Sequence, residues 1–348
     1  MLDAQIIGLD IAKSSFQVHA VAADGKVLFN KKLRRSEVVP FFQKQAPCLV
    51  VLEACATSHY WARTIAGLGH TAKLIAPEVA KPFVKKGKKN DAVDAGAIVQ
   101  AARRTDIHFV PVKTTAQQGV LSLHSARGLL VKQKTMLSNA LRNLASEFGI
   151  VVPLGMHRLD ELRDEVAGGA NIPADLRDAF SVLFERLNAL DTAIGVLTDR
   201  IVAHVKADGV AKRLATIPGV GPLTASLVVG MVTDMKEFGS ARKFAAWLGL
   251  VPRQNSTGGK ARLGRITKSG NRGLRTLLVI GATSMLRRSE GWMTKTGAWL
   301  RSLAARKPSR VATVALANKM ARVIWAMMTR EEIYRAERLS SPLQAAVV

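Results

Sequence analysis

Apolar positions in the first 110 residues recur in short blocks. Gln5–Asp10 is a brief apolar run. In Ser15–Ala22, Phe16, Val18 and Ala20 fall on one side, the alternation of a half-buried strand. Asp24-Gly25 is a favoured hairpin dipeptide, so Val27–Lys31 is expected to pair back as a third strand. Ser36 can cap a helix reaching about Gln45. Cys48–Glu53 has the continuous apolar character of a buried strand, and Ser58–Leu68 that of a helix closed by Gly69. Thr71–Ala76 is a further strand, which Pro77 ends, and a last helix starts near Asn90. Three meandering strands, then helix, strand, helix, strand and helix, predict an α/β domain of the ribonuclease H-like kind. In it a mixed five-stranded sheet carries helices on its faces.

The period then changes. In Thr115–Phe148 the apolar residues Leu121, Leu129, Met136, Leu137, Leu141 and Leu144 recur at helical spacing. A second helical run, about Ala174–Val205, carries Phe180, Leu183, Leu187, Leu190, Ile194, Leu197 and Ile201. Gly149–Pro173 joins them and is loop-rich. Such a pair predicts either an antiparallel hairpin or an oligomeric coiled coil, with a single-chain bundle as the alternative. Residues 209–348 read as mainly helical with Gly-rich interruptions. The expected organisation is therefore 1–110, 111–208 and 209–348.

Charge sharpens this division. The 348 residues contain 51 Lys and Arg against 26 Asp and Glu, a formal charge of +25. Residues 111–210 are balanced at 11 and 11, which suits a protein–protein role, whereas residues 211–348 carry 24 basic and 6 acidic residues. Gly239–Ser289 contains eleven Lys and Arg and no acid. A one-signed stretch with a Trp, several Leu and Gly-rich segments predicts a folded surface facing a polyanion, in preference to a solvated tail. At 48% hydrophobic residues the chain has material for cores, which excludes wholesale disorder. The most apolar stretches, such as Thr276–Met285, are shorter than the roughly 20 residues of a membrane span. The first residues lack the basic start of a signal peptide. Cys48 and Cys55 make neither a disulfide framework nor a four-ligand zinc site, which points to a reduced, cytoplasmic compartment.

Several residues carry candidate chemistry. Asp10 ends the first strand and Glu53 the fourth, while Asp91 and Asp94 share one helix face at i, i+3. Four hard oxygen donors of this kind suit Mg²⁺ or Mn²⁺, and two such metal ions together stabilise the attacking and leaving oxygens of phosphoryl transfer. The run Lys85, Lys86, Lys88 and Lys89 stands just before Asp91, as a solvated loop or a phosphate contact. Ile217-Pro218-Gly219-Val220-Gly221-Pro222 resembles the hairpin of a helix-hairpin-helix module. There Gly219 and Gly221 would let the backbone approach a phosphate; an ordinary helix–helix turn is the alternative. Asn255-Ser256-Thr257-Gly258-Gly259 lies in the acid-free span beside Arg253, Lys260, Arg262, Arg265, Lys268 and Arg272. Those cations would lower a hydroxyl pKa and steady a transition state, so the segment is a nucleophile loop or a phosphate-binding loop.

The set GLDIAKSSF, VLEACAT, KKNDAVDA, IPGVGPLTA, FAAWLGLVPRQNSTGGK and RITKSGNRGLRTLL runs in order along nearly the whole chain. It resembles the DEDD transposases of the insertion-sequence-110 family, most closely the 1111 subgroup, with the pilin-gene invertases as relatives. The resemblance implies a RuvC-like catalytic domain with its four acids at Asp10, Glu53, Asp91 and Asp94. It also implies a coiled-coil connector and a C-terminal transposase domain with an essential serine. It further implies recombination of donor and target DNA guided by a structured non-coding bridge RNA, in dimers or tetramers with composite sites, in a bacterial cytoplasm and at the nucleoid when active. The family nucleophile precedes glycine, and Thr257 stands directly before Gly258. Ser256 is favoured on chemistry, with Thr257 as the alternative. A RuvC-like junction nuclease using metal-bound water is the competing function, and a non-catalytic nucleic-acid scaffold a third.

Overall fold

The structure is a computed structural model that describes residues 4–84, 91–169, 172–255 and 262–337, with Asp91 and Ala92 described by backbone alone. It divides into two compact units, Met1–Thr115 and Ala116–Val348. The middle helices thus fall in the same unit as the basic region.

Unit 1 is a mixed sheet with the strand order β3-β2-β1-β4-β5. The strands are β1 (Ile6–Ile11), β2 (Ser15–Val21), β3 (Val27–Arg34), β4 (Leu49–Glu53) and β5 (Thr71–Ile75). β2 is antiparallel to both β1 and β3, while β1, β4 and β5 run parallel. The helices are α1 (Val38–Gln43), α2 (Ser58–Ala66), α3 (Pro77–Ala80) and α4 (Asp91–Ala102). This is the mixed α/β arrangement expected of a ribonuclease H-like domain. β3 runs three residues beyond its expected end because Lys32, Leu33 and Arg34 continue the pairing with β2, although two of them are polar. Pro77 ends β5 and also opens α3, where its missing N–H costs nothing.

Strand parity sorts the side chains. Ile7, Leu9, Val50, Leu52 and Leu74 pack on one face with Trp61, Ile65 and Phe42 of α2 and α1. Val51 and Ile75 pack on the other face with Ile98 and Ala101 of α4. Every second residue of β1 and β4 therefore faces α4.

In unit 2, α5 (Thr115–Ser146) and α7 (Ala174–Ala207) are joined through α6 (Leu159–Gly168). The short helix α6 falls in the stretch expected to be loop. The guanidinium of Arg127 donates to Thr198 Oγ1 at 2.8 Å, and Lys134 pairs with Asp191, so the two long helices run antiparallel. Leu141 and Ala145 pack with Phe180, Phe184 and Leu187 at one end. Leu129 and Met136, two of the apolar residues at helical spacing, are 57% and 61% exposed.

The remainder contains α8 (Gly209–Leu214), α9 (Pro222–Met231), α10 (Ala241–Trp247), α11 (Arg272–Arg287), α12 (Lys295–Arg306) and α13 (Ser309–Arg330). It also holds one hairpin, β6 (Pro252–Gln254) with β7 (Leu263–Ile266). Among the described residues α13 alone is long and apolar enough to cross a membrane, and it is a better candidate than Thr276–Met285. Its Ala312, Leu316, Ala317, Met320, Ala321 and Ile324 are nevertheless buried in the core of this unit.

Candidate active site

The register Gly8↔Val51 and Leu9↔Leu52 sets Asp10 and Glu53 side by side at the ends of adjacent parallel strands. Parity turns both toward the face that α4 covers. Both are half-buried. Their proximity is felt by Cys55, whose thiol is pushed up by burial first and then by the Glu53 and Asp10 carboxylates. Glu53 leads into a tight turn in which Thr57 adopts a left-handed φ of 71°. That conformation costs a β-branched residue about 1–2 kcal/mol, and it redirects the chain into α2.

Gly8 fixes how closely α4 lies. A side-chain carbon there would collide with the carbonyl oxygen of Ala95 and stand 2.7 Å from Val99 Cγ2. Only glycine admits the helix at this depth. Asp94 precedes Ala95 and stands four residues before the fully buried Ile98, on the stripe that faces the sheet. Asp91 opens the same helix, and its side chain lies outside the described residues. Three of the four expected acids are thus carried to one face of one sheet. Among the described residues no three His, Cys, Asp or Glu side chains close into a group that could hold a metal ion. The donor chemistry still fits Mg²⁺ or Mn²⁺, since Asp10, Glu53 and Asp94 offer hard oxygens with no sulfur or imidazole ligand required.

The second candidate segment lies in unit 2. Ser256, Thr257 and Lys260 lie outside the described residues and stand in the chain between β6 and β7. The flanks of that segment are paired: the Asn255 N–H donates to the Arg262 carbonyl at 2.9 Å. The base is knotted by Arg275, whose guanidinium donates to Leu248 O at 2.9 Å and Ser269 O at 2.6 Å. Gly249 at φ 68° and Gly270 at φ 66° pack backbone on backbone beneath it. Lys268 is itself left-handed at φ 58°. Arg253, Arg262, Arg265, Lys268 and Arg272 are all exposed along this hairpin and the start of α11. The described residues therefore present a rigid-based, cationic hairpin, β6 paired with β7.

Gly221 is exposed at the start of α9, and a carbon on it would meet open space. Gly219, at φ 83°, instead points into the protein: a carbon on it would stand 2.9 Å from Met320 and 3.1 Å from the Gly281 carbonyl. Its glycine is thus demanded by packing against α11. Lys85, Lys86, Lys88 and Lys89 lie outside the described residues. Sequence reasoning did not single out Gly8, Arg275 or the pair His59 and Lys113. In that pair the Lys113 N–H donates to His59 Nδ1 at 3.1 Å. A glycine inside an otherwise bulky apolar strand was the available signal for Gly8.

Comparison with known proteins agrees with this layout. The IS110-type DEDD transposase profile matches residues 7–149, and that of the Transposase IS116/IS110/IS902 family matches residues 211–297. A Sinorhizobium fredii protein designated transposase y4pF/y4sB is 46% identical over 94% of this chain and 85% of its own. The transposase for insertion sequence element IS1111A of Coxiella burnetii is 40% identical over 96% of this chain and 92% of its own. That of IS1328 from Yersinia enterocolitica is 37% identical over 96% and 99%. With both profiles matched and relatives of this closeness along nearly the whole length, the chain belongs to the IS116/IS110/IS902 family of DEDD insertion-sequence transposases.

Proposed function

We propose that this transposase cuts and rejoins DNA strands through a covalent phosphoserine, with Ser256 as nucleophile and Thr257 as the alternative. Asp10, Glu53, Asp91 and Asp94 would hold Mg²⁺ or Mn²⁺, which when bound supplies positive charge to the reacting phosphate. The observation that carries the reading is the placement of Asp10 and Glu53 beside one another under α4, in a chain that also bears a cationic hairpin. The Ser256 hydroxyl loses its proton as Oγ bonds to phosphorus. The P–O3′ bond breaks, and the 3′-oxygen leaves with the electron pair and takes up a proton. The phosphoester conserves the bond energy, so rejoining needs no nucleotide triphosphate.

The exposed Arg253, Arg262, Arg265, Lys268 and Arg272 suit contact with DNA phosphates. The family resemblance supports guidance by a structured bridge RNA that pairs with donor and target. The exposed Leu129 and Met136, seven residues apart on α5, support a coiled-coil contact between protomers, in dimers that pair into tetramers.

Trapping a protein–DNA adduct tests the reading. Wild type and Asp10→Asn are compared for cleavage, and Ser256→Ala and Thr257→Ala for the adduct. The reading expects Asp10→Asn to bind without cutting and Ser256→Ala to form no adduct. Loss in Thr257→Ala alone moves the role to Thr257. Normal cutting by the double variant makes water the nucleophile and the protein a RuvC-like junction nuclease.

A further inference from the structure

Unit 1 has an open cleft of about 910 Å³ that none of the expected site residues lines. It is framed by Lys13 and Ser14 of the β1–β2 turn, by Arg34 at the end of β3 and Arg35 after it, and by Tyr60 and Trp61 of α2. We propose that this cleft is a binding site for a single strand of nucleic acid, gripped on its phosphates by Lys13, Arg34 and Arg35 and stacked by a base on Tyr60. The proposal deepens the transposase reading and rests on it for the strand's destination.

The chemistry of the walls carries the assignment. Lys13, Ser14, Arg34 and Arg35 are exposed, and no acidic residue lines the cleft; the nearest acid in sequence, Glu37, already accepts the Arg34 N–H at 2.7 Å. The floor is aromatic. Trp61 is 4% exposed and packs edge-on against Phe16 at 5.0 Å and against Tyr60 at 5.2 Å. Arg35 lies over the Trp61 ring at 5.1 Å. The buried Trp61 indole N–H finds no acceptor in the protein. Tyr60, by contrast, is 51% exposed although it is a large aromatic on a well-packed helix. A rigid ring held edge-on by a buried Trp and flanked by three cations is the equipment for stacking an unpaired base beside its phosphates. A duplex keeps its base faces stacked inside and has none to offer Tyr60.

Position gives the cleft its use. Lys13 follows Asp10 by three residues, so their Cα atoms are at most about 11 Å apart. α2 likewise begins five residues after Glu53. Asp10 and Glu53 turn to the opposite face of the sheet, so a strand held here would pass round the end of β1 to reach them.

The experiment uses the full-length protein and single-stranded oligonucleotides carrying one 5-iodouracil, as DNA and as RNA. Photocrosslinks are mapped by peptide mass spectrometry at 0.3 M salt, which suppresses the phosphate-only binding of the basic unit. The expected adduct falls on the α2 peptide containing Tyr60 and is competed by unlabelled single strand but not by duplex. Tyr60→Ala should lose it and bind the single strand about five- to tenfold more weakly; Tyr60→Phe should retain both. Lys13→Ala with Arg35→Ala, both at exposed positions, should also lose the adduct. An adduct with RNA alone assigns the strand to a guide, and one with DNA alone to the substrate. Crosslinks elsewhere, with Tyr60→Ala binding as wild type, would overturn the proposal. Asp10→Asn separates it from the catalytic reading: cleavage retained by that variant sinks the catalytic role and leaves the Tyr60 adduct untouched.

Discussion

Gly8 and Ala95 meet where β1 passes beneath α4, with no room for a side chain on the strand. That contact sets the depth of the helix bearing Asp91 and Asp94 over the strand bearing Asp10. Gly8→Ala should therefore lift α4, at an overpacking cost of about 1–3 kcal/mol. Thermal unfolding should show the loss, and cleavage under conditions where the variant is fully folded should fall at least tenfold. A variant with wild-type melting and cleavage would show that the contact does not position the acids.

The Asp10 and Glu53 carboxylates both raise the Cys55 thiol, so Cys55 reports their closeness. Replacing either acid by its amide should lower that thiol's pKa and speed alkylation by iodoacetamide at mildly alkaline pH. Cys48, pushed up to about 11 by burial, contributes little signal. The pH dependence of Cys55 labelling in Asp10→Asn and Glu53→Gln checks this. An unchanged profile in both would separate the two carboxylates in solution.

Unit 1 was legible because its strands are buried and alternate: Ile7 and Leu9 turn one way, Gly8 and Asp10 the other. The β6–β7 hairpin was not legible, because Pro-Arg-Gln and Leu-Gly-Arg-Ile show no apolar alternation and are almost wholly exposed. Their pairing is imposed by Arg275 and by the glycines at 249 and 270. The inward face of Gly219 was hidden for a related reason, since its partner Gly281 lies far along the chain on α11. α6 escaped notice because a Gly/Pro-rich connector conceals the ten residues that bury Leu159, Leu162 and Val166. The placement of Asp10, Glu53 and Asp94 could be anticipated from strand order; Tyr60 and the basic cleft could not, as they are assembled from three separate segments.

The cationic hairpin makes a graded prediction. If Arg253 and Arg265 contact phosphates, Arg253→Ala and Arg265→Ala should each weaken DNA binding similarly for all sequences. Each should also reduce the slope of log affinity against log salt by about one. Arg275→Ala should behave differently, because its guanidinium holds the Leu248 and Ser269 carbonyls. It should lower the melting temperature and abolish adduct formation while leaving the salt slope nearly unchanged. Titrations at several salt concentrations, beside melting curves, distinguish the two kinds of arginine.

Low pH should loosen both units for one electrostatic reason. His59 is held down to about 4 by burial, then by Lys113 and Arg63. His124, near Ser226 at 3.2 Å, is held down to about 4 by burial, then by Arg127 and His204. Both stay neutral in the folded chain and gain protons near pH 6.5 when it unfolds. Between about pH 6.5 and 4 the unfolded state therefore binds more protons, and stability falls as pH is lowered through that window. His59→Asn keeps an acceptor for the Lys113 N–H and removes the titration, so it should flatten part of the fall. Urea unfolding from pH 7.5 to 4.5 measures it. A His59→Asn curve parallel to wild type across that range would remove His59 from the account and leave the acid sensitivity to His124.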